Sequence, residues 1–323
     1  MKKLLIFTLA CGVALTAISW TGKMFNNIIG VVQSNAEPVL MQTKSFGISE
    51  VKNVNASTTL GSITVTGDAT GEASVEMYAQ ANNNQHLSKD EIQQIINRDY
   101  NIEISVENGK LTAKAIFKNK HVGNNQKTVS VSFKIHTAKN VSTDLNSVTG
   151  SIHLAALQGN ERFEVSTGSL HLDNISGDIN GHTSTGSIHA DNCNGNIKLE
   201  TSTGSVHASY IKGMLDARTS TGSLHLENIT AKVYATTSTG SISAKFDTFK
   251  NDATLSTSIG SVNVEVPKDI AANLDLEGSH INANRLYNFS GDTGKRNIKG
   301  KINGGGANLA ASTNMGSVSL NFK

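Results

Sequence analysis

The sequence predicts an all-β fold: a parallel β-helix, or β-solenoid, of 18-residue coils, with one short helix in an N-terminal capping region. Three observations predict it. The dipeptide Gly-Ser recurs at Gly150, Gly168, Gly186, Gly204, Gly222 and Gly240, each 18 residues after the last. Between these marks apolar and polar residues alternate over four to five positions, the period of a strand buried on one face. The chain carries 29 glycines but 2 prolines in 323 residues. Disordered glycine-rich chains carry proline too, so these glycines are positional.

Charge narrows the function classes. Lys and Arg number 28 against 26 Asp and Glu, a net charge of +2. No basic excess is present to neutralise phosphates, so nucleic acid is not an expected partner. Charged residues are 17% of the chain, below the roughly 25% usual in soluble domains.

In chain order, residues 1–36 come first. Lys2 and Lys3 precede the apolar run Leu4 to Trp20, the pattern of a secretory signal or a short membrane anchor. Ser34-Asn35-Ala36 is a small-x-small site that would leave Glu37 as the new terminus. An uncleaved anchor is the rival reading, because Asn27 to Val32 delays that site beyond the usual length, although the run sits at the lower limit for spanning a bilayer. Cys11 follows Thr8-Leu9-Ala10, loosely like a lipoprotein box, but lies early in the apolar run. Membrane contact is expected only through this segment. The rest is expected to be exported to the cell envelope, in the periplasm or at the cell surface. With Cys11 and Cys193 as the two cysteines, a disulfide framework is excluded.

Residues 37–140 form an irregular β-rich cap. Gly61-Ser62 with Ile63-Thr-Val65 marks one related coil. Strand alternation recurs at Ala73 to Ala79, Asn101 to Val106, Lys110 to Phe117 and Thr128 to His136. Ser88-Lys-Asp-Glu91 is a capping box ahead of Ile92, Ile95 and Ile96, which predicts a helix near 88–99. Glu107-Asn-Gly109 and Asn124-Asn-Gln126 read as turns. A solenoid end needs cover, because an open coil presents unpaired strand edges.

Residues 141–323 are the solenoid. A second glycine set, Gly159, Gly177, Gly195 and Gly213, halves the period to nine. Stacked coils place equivalent residues in columns. Three columns read as interior: Ile152 to Ile242 through Leu170, Ile188, Val206 and Leu224; Leu157, Ile175, Cys193, Ile211 and Ile229; and Ile179, Ile197, Leu215 and Val233. Many alanines, such as Ala190, Ala208, Ala217 and Ala235, imply a narrow core. Cys193 takes an Ile position and reads as buried. Thr-Ser-Thr runs at 183–185, 201–203, 219–221 and 237–239 suit hydroxyl ladders, with Ser outward. A Ser nucleophile fails, since the same Ser recurs in each coil without a fixed acid–base partner. Gly-Ser returns at Gly260, two residues late, and at Gly278, back on 18. Asn288 to Gly306 breaks the period, with Gly304-Gly-Gly306 as a flexible joint, and Gly316 to Phe322 restores a coil-like strand.

One column carries chemistry. His153, His171, His189, His207 and His225 share one outward position. Imidazoles one strand spacing apart are candidate zinc or copper ligands, or an anion site, and like charges make them resist joint protonation. The bland alternative is a surface ladder left by duplication. The column continues as Ser243 and Asn263, so no closed coordination shell is visible. Beside it run Asp173, Asp191, Ser209, Glu227 and Lys245. Asp follows Gly only at Asp178 in the regular repeat, which excludes the calcium-binding nonapeptide. No carboxylate pair is singled out for sugar hydrolysis, and no cofactor is expected.

These pieces carry a resemblance. Gly61-Ser-Ile-Thr-Val65, the Thr-Gly-Ser-Ile/Leu-His repeats of 149–243, and Gly-Asp-Ile-Asn at 177–180 resemble the bacterial exported putative-adhesin β-solenoid proteins, including the head-GIN group. The resemblance covers most of residues 45–323. It implies a parallel β-helix and a cell-envelope location, and it brings no catalytic residues. The expected function is a non-enzymatic solenoid presenting a polar ladder to an envelope protein or a surface glycan. The alternatives are a polysaccharide lyase or hydrolase on a β-helix, and a membrane-anchored envelope-stress or signalling accessory domain.

Overall fold

A computed structural model of the chain describes residues 37–82, 86–118, 127–283 and 286–323. The leader, Cys11 and the turn expected at Asn124–Gln126 lie outside the described residues. The fold is all-β. One 13-stranded and one 14-stranded sheet run its length, joined by a shared core. Both sheets cross the position 140/141 without interruption.

Seven consecutive coils stack in chain order, from the pair Ser142–Thr149 and Ile152–Ala155 to the pair Ala253–Ile259 and Val262–Val266. Each gives a strand to either sheet. Pairing is parallel and in register: His189 lies opposite His171 and His207. The 18-residue period thus becomes one strand spacing, about 4.8 Å.

At both ends, order in space departs from order in the chain. The coil of Asn53–Leu60 and Ile63–Thr66 stacks directly on residues 142–155. Lys110–Phe117 and Val129–His136 then stack on its outer side. Antiparallel strands finish this end: Glu72–Ala81 on Val129–His136, Val39–Gly47 on Glu72–Ala81, and Tyr100–Glu107 on Lys110–Phe117. The helix Lys89–Asp99 has Ser88 as N-cap and a complete capping box with Glu91. It buries Ile92, Ile95 and Ile96.

The C-terminal end repeats the device. Ala307–Met315 and Ser317–Phe322 pair with the coil of residues 253–266. Ala272–Glu277 and His280–Ala283, earlier in the chain, lie on the outer side of that insert. Asn297–Ile302 and Phe289–Thr293 close the edge antiparallel. The expectation that Gly278 continues the Gly-Ser column is therefore corrected. Gly316 occupies that place: φ is +152° and a Cβ there would lie 1.9 Å from the Gly260 carbonyl oxygen. Gly278 sits one layer further out, with Ser279 N–H donating to the Gly316 oxygen. Nor is the triple glycine a loose joint. Gly304 and Gly305 make a tight turn, with Gly305 N–H donating to Ile302 O at 3.0 Å.

The three apolar columns are buried as read. One column differs. Thr183, Thr201, Thr219 and Thr237, the first residue of each Thr-Ser-Thr run, point inward. Each hydroxyl donates to the glycine oxygen of the coil before, such as Thr201 to Gly186 at 2.9 Å. Only the Ser and the second Thr of each run are exposed. The core also trades volume between coils. Phe163 lies over Gly181, where a Cβ would sit 2.2 Å from its ring. The two residues added before Gly260 widen a corner that Phe246 and Phe249 fill edge to face, centroids 5.2 Å apart.

Candidate functional site

The Gly-Ser corner sets the position of everything on the short-strand sheet. Gly204 has φ +145°, and a Cβ there would lie 2.0 Å from Gly186 O. That conformation and that approach need glycine. The following serine links the coils: Ser205 N–H donates to Ser187 Oγ, and Ser223 N–H to Ser205 Oγ. At the far end of the short strand, Ala156, Asn174, Asn192, Tyr210 and Asn228 hold φ of +50° to +58°. Asn tolerates this left-handed region because its short amide bonds locally. The Asn192 amide donates to Asn174 Oδ1. Sequence reading passed over this column. Its signal was Asn at 174, 192 and 228, each directly before a buried apolar residue, Ile175, Cys193 and Ile229.

Between these two fixed corners each short strand has two inward and two outward residues. The structure brings His153, His171, His189, His207 and His225 into one stack, as expected. Ring centroids are 6.1, 5.1, 4.9 and 4.7 Å apart in that order, and the last three pairs are within 13° of parallel. The stack is graded. His153 and His171 are half-buried, while the other three are exposed. His153 Nδ1 is buried without a hydrogen-bond partner. Thr64, then Lys134, continue the column beyond His153.

Burial, then the neighbouring imidazole, lowers the pKa of His171, His189 and His207. Burial also lowers that of His153, partly opposed by Asp173. Both causes disfavour positive charge, so these rings are neutral at neutral pH. The outward column alongside holds Asp173 and Asp191, then Ser209, whose hydroxyl donates to Asp191. Below them Lys245 Nζ lies 2.8 Å from Glu227 Oε1.

Parallel rings direct their lone pairs side by side, not toward one point. Among the described residues no three His, Cys, Asp or Glu converge on a common centre. A chelated ion would require the rings to turn. The long-strand sheet offers a second polar face, with Lys198–Glu200 and Arg218–Asp216 ion pairs at 3.2 and 2.7 Å. Tyr234 is exposed there, with Lys232 Nζ 5.3 Å from its ring centre. A separate cleft of about 530 Å³ opens beside the helix, floored by Met41, Met77, Ile96, Ile102 and Ile104. Cys193 lies inside its column, and burial pushes its thiol up to about 12. Among the described residues no helix is long and apolar enough to cross a membrane.

Residues 45–321 match one family, Toastrack DUF4097. The chain belongs to that family. In a Toastrack protein the stacked, parallel coils are the expected frame, and the two polar faces are what this member builds on it. No curated protein matches the chain in sequence. Similar solved structures include a putative adhesin from Bacteroides fragilis, at 13% identity over 90% of this chain and 100% of that one, TM-score 0.44. Another is a putative lipid binding protein from Parabacteroides distasonis, at 16% identity over 89% and 98%, TM-score 0.46. A putative adhesin from the same organism covers 90% and 99% at 11% identity, TM-score 0.32.

Proposed function

We propose that this protein is a non-enzymatic solenoid of the cell envelope that presents its polar ladders to a surface glycan or an envelope protein. One observation carries the reading. Seven coils stack with a single two-residue insertion, so the outer faces are flat repeats without the loop-walled groove that sugar-cleaving β-helices place around paired carboxylates. A rigid face with one hydrogen-bonding group per coil suits a partner that itself repeats. The envelope location rests on Lys2, Lys3 and the apolar run Leu4 to Trp20.

A glycan array and an envelope pull-down with residues 37–323 test the reading. Saturable binding to a glycan or an envelope protein is the expected result. Cleavage of a polysaccharide, or no partner in either assay, overturns it.

A further inference from the structure

The histidine ladder has a property that a plain polar face lacks: its charge depends on pH and runs along a line. We infer that the ladder, with the carboxylates beside it, is an acid-activated docking strip for a linear uronic-acid polysaccharide lying along the stack axis. This rests on the glycan-binding reading above and names the glycan's chemistry.

The strip is a row of five imidazoles, four strand spacings or roughly 19 Å long. The groups facing it are few. Asp173, Asp191 and Glu227 lie in the adjacent column, with Lys245 paired to Glu227. Beyond His153 stand Thr64 and Lys134, the latter opposite Glu76, and the His136–Asp68 pair at 2.7 Å ends the acidic column. Beyond His225 stand Ser243 and Asn263, with Glu265 opposite Lys245. With neutral imidazoles the strip carries net negative charge and repels anions. With protonated imidazoles, five positive charges join Lys134 and Lys245 and together outnumber the six carboxylates. Burial and neighbouring rings hold His153, His171, His189 and His207 below the ordinary histidine range, so the change of sign comes on the acid side of it.

Geometry selects the ligand. Charged rings about 5 Å apart repel one another, so adjacent rungs gain protons together only when an anion lies over them. A uronic-acid chain carries one carboxylate per sugar ring, and in an extended two-fold chain the like-facing ones come every second sugar, close to every second rung, so it stays in step while pairing with alternate imidazoles. An extended acidic peptide presents like-facing carboxylates only every second residue, about 6.8 Å, and falls out of step. Among the described residues the exposed large apolar side chains are Leu40, Ile116, Val148, Tyr210, Tyr234, Ile259, Tyr287 and Met315. None lies in the two outward columns of this sheet, so the strip lacks the apolar groups with which a protein enters a lipid surface.

Titration calorimetry with oligogalacturonate, at about pH 5 and about pH 8 in two buffers of different ionisation heat, tests the inference. Binding is expected at acid pH with net proton uptake, tightening about tenfold per pH unit for each proton taken up. The double variant His189→Asn, His207→Asn, built on the Asn263 already in this column, is expected to lose it. Its folding is checked by thermal melting at about pH 8, where the histidines are neutral. Binding that is pH-independent, or unchanged in a folded double variant, overturns the inference. So does binding to anionic phosphatidylglycerol vesicles without binding to oligogalacturonate. No oligogalacturonate binding by the wild type at either pH, with a neutral glycan or an envelope protein still bound, would leave the broader adhesion reading standing while this one falls.

Discussion

Glu161 Oε2 accepts a hydrogen bond from Thr143 Oγ1 inside the core. Glu161 is 1% exposed and sits in the column otherwise held by Ile179, Ile197 and Leu215, with its Oε1 unpartnered. Burial pushes its carboxyl up to about 7, partly opposed by Thr143. The folded-state value is above the ordinary 4.5, so the native protein keeps a proton that the unfolded chain has lost. Stability from this group is full below pH 4.5 and declines until about pH 7. The shift corresponds to about 3 kcal/mol. Glu161→Gln is expected to match wild type at about pH 4 and exceed it by up to that amount at about pH 8. Chemical denaturation across the range checks it, and parallel curves for the two proteins would refute it.

Gly204→Ala places a methyl 2.0 Å from Gly186 O at φ +145°. A loss of about 3 kcal/mol or more is expected. Gly71→Ala is the control: no atom lies within 4 Å of its Cβ position, and the change is expected to stay within about 0.5 kcal/mol. Denaturation midpoints compare the pair.

Tyr210 holds φ +55° where its stacked neighbours are Asn192 and Asn228. Its ring is exposed, so little packing is lost on replacement. Tyr210→Asn is expected to stabilise by about 1 kcal/mol. A lowered melting temperature would show that the ring makes a contribution of its own.

Cys193 is 1% exposed, and its thiol is pushed up by burial. In a Cys11→Ser background, a thiol reagent such as Ellman's is expected to react only as denaturant unfolds the chain. Rapid labelling of native protein would contradict the buried column.

The resting ladder is expected to bind zinc or copper weakly, because parallel imidazoles do not chelate. Calorimetry with His189→Ala and His207→Ala checks this. A tight site that either variant removes would show that the rings turn to meet the ion.

The stacked middle of the molecule was legible because burial on one side repeats without interruption. Ile188, His189 and Ala190 state inward, outward, inward, and each coil states it again. At the ends the helix and most strands were legible, but not the order in which they stack. Gly278 keeps the 18-residue spacing yet lies one layer beyond Gly316, because stacking order is decided by pairing between distant strands and leaves no local mark. Thr201 was left unplaced for a different reason. A strand's alternation puts it inside, but a hydroxyl is expected outside unless an acceptor such as Gly186 O is known to wait there. The ladder's position was read from spacing, whereas its parallel ring planes and its graded burial needed the coordinates.

The inserted coil at residues 307–322 has a consequence for biogenesis. These residues leave the ribosome after residues 272–302, yet they stand between that segment and the rod. The C-terminal cap therefore cannot dock as it is made. Until the insert arrives, the coil ending at Val266 keeps a free parallel edge, the surface on which nascent chains pair wrongly. Secretion in an unfolded state, with the rod assembled only after the whole segment has crossed, would remove that hazard. A chaperone that shields strand edges would do the same.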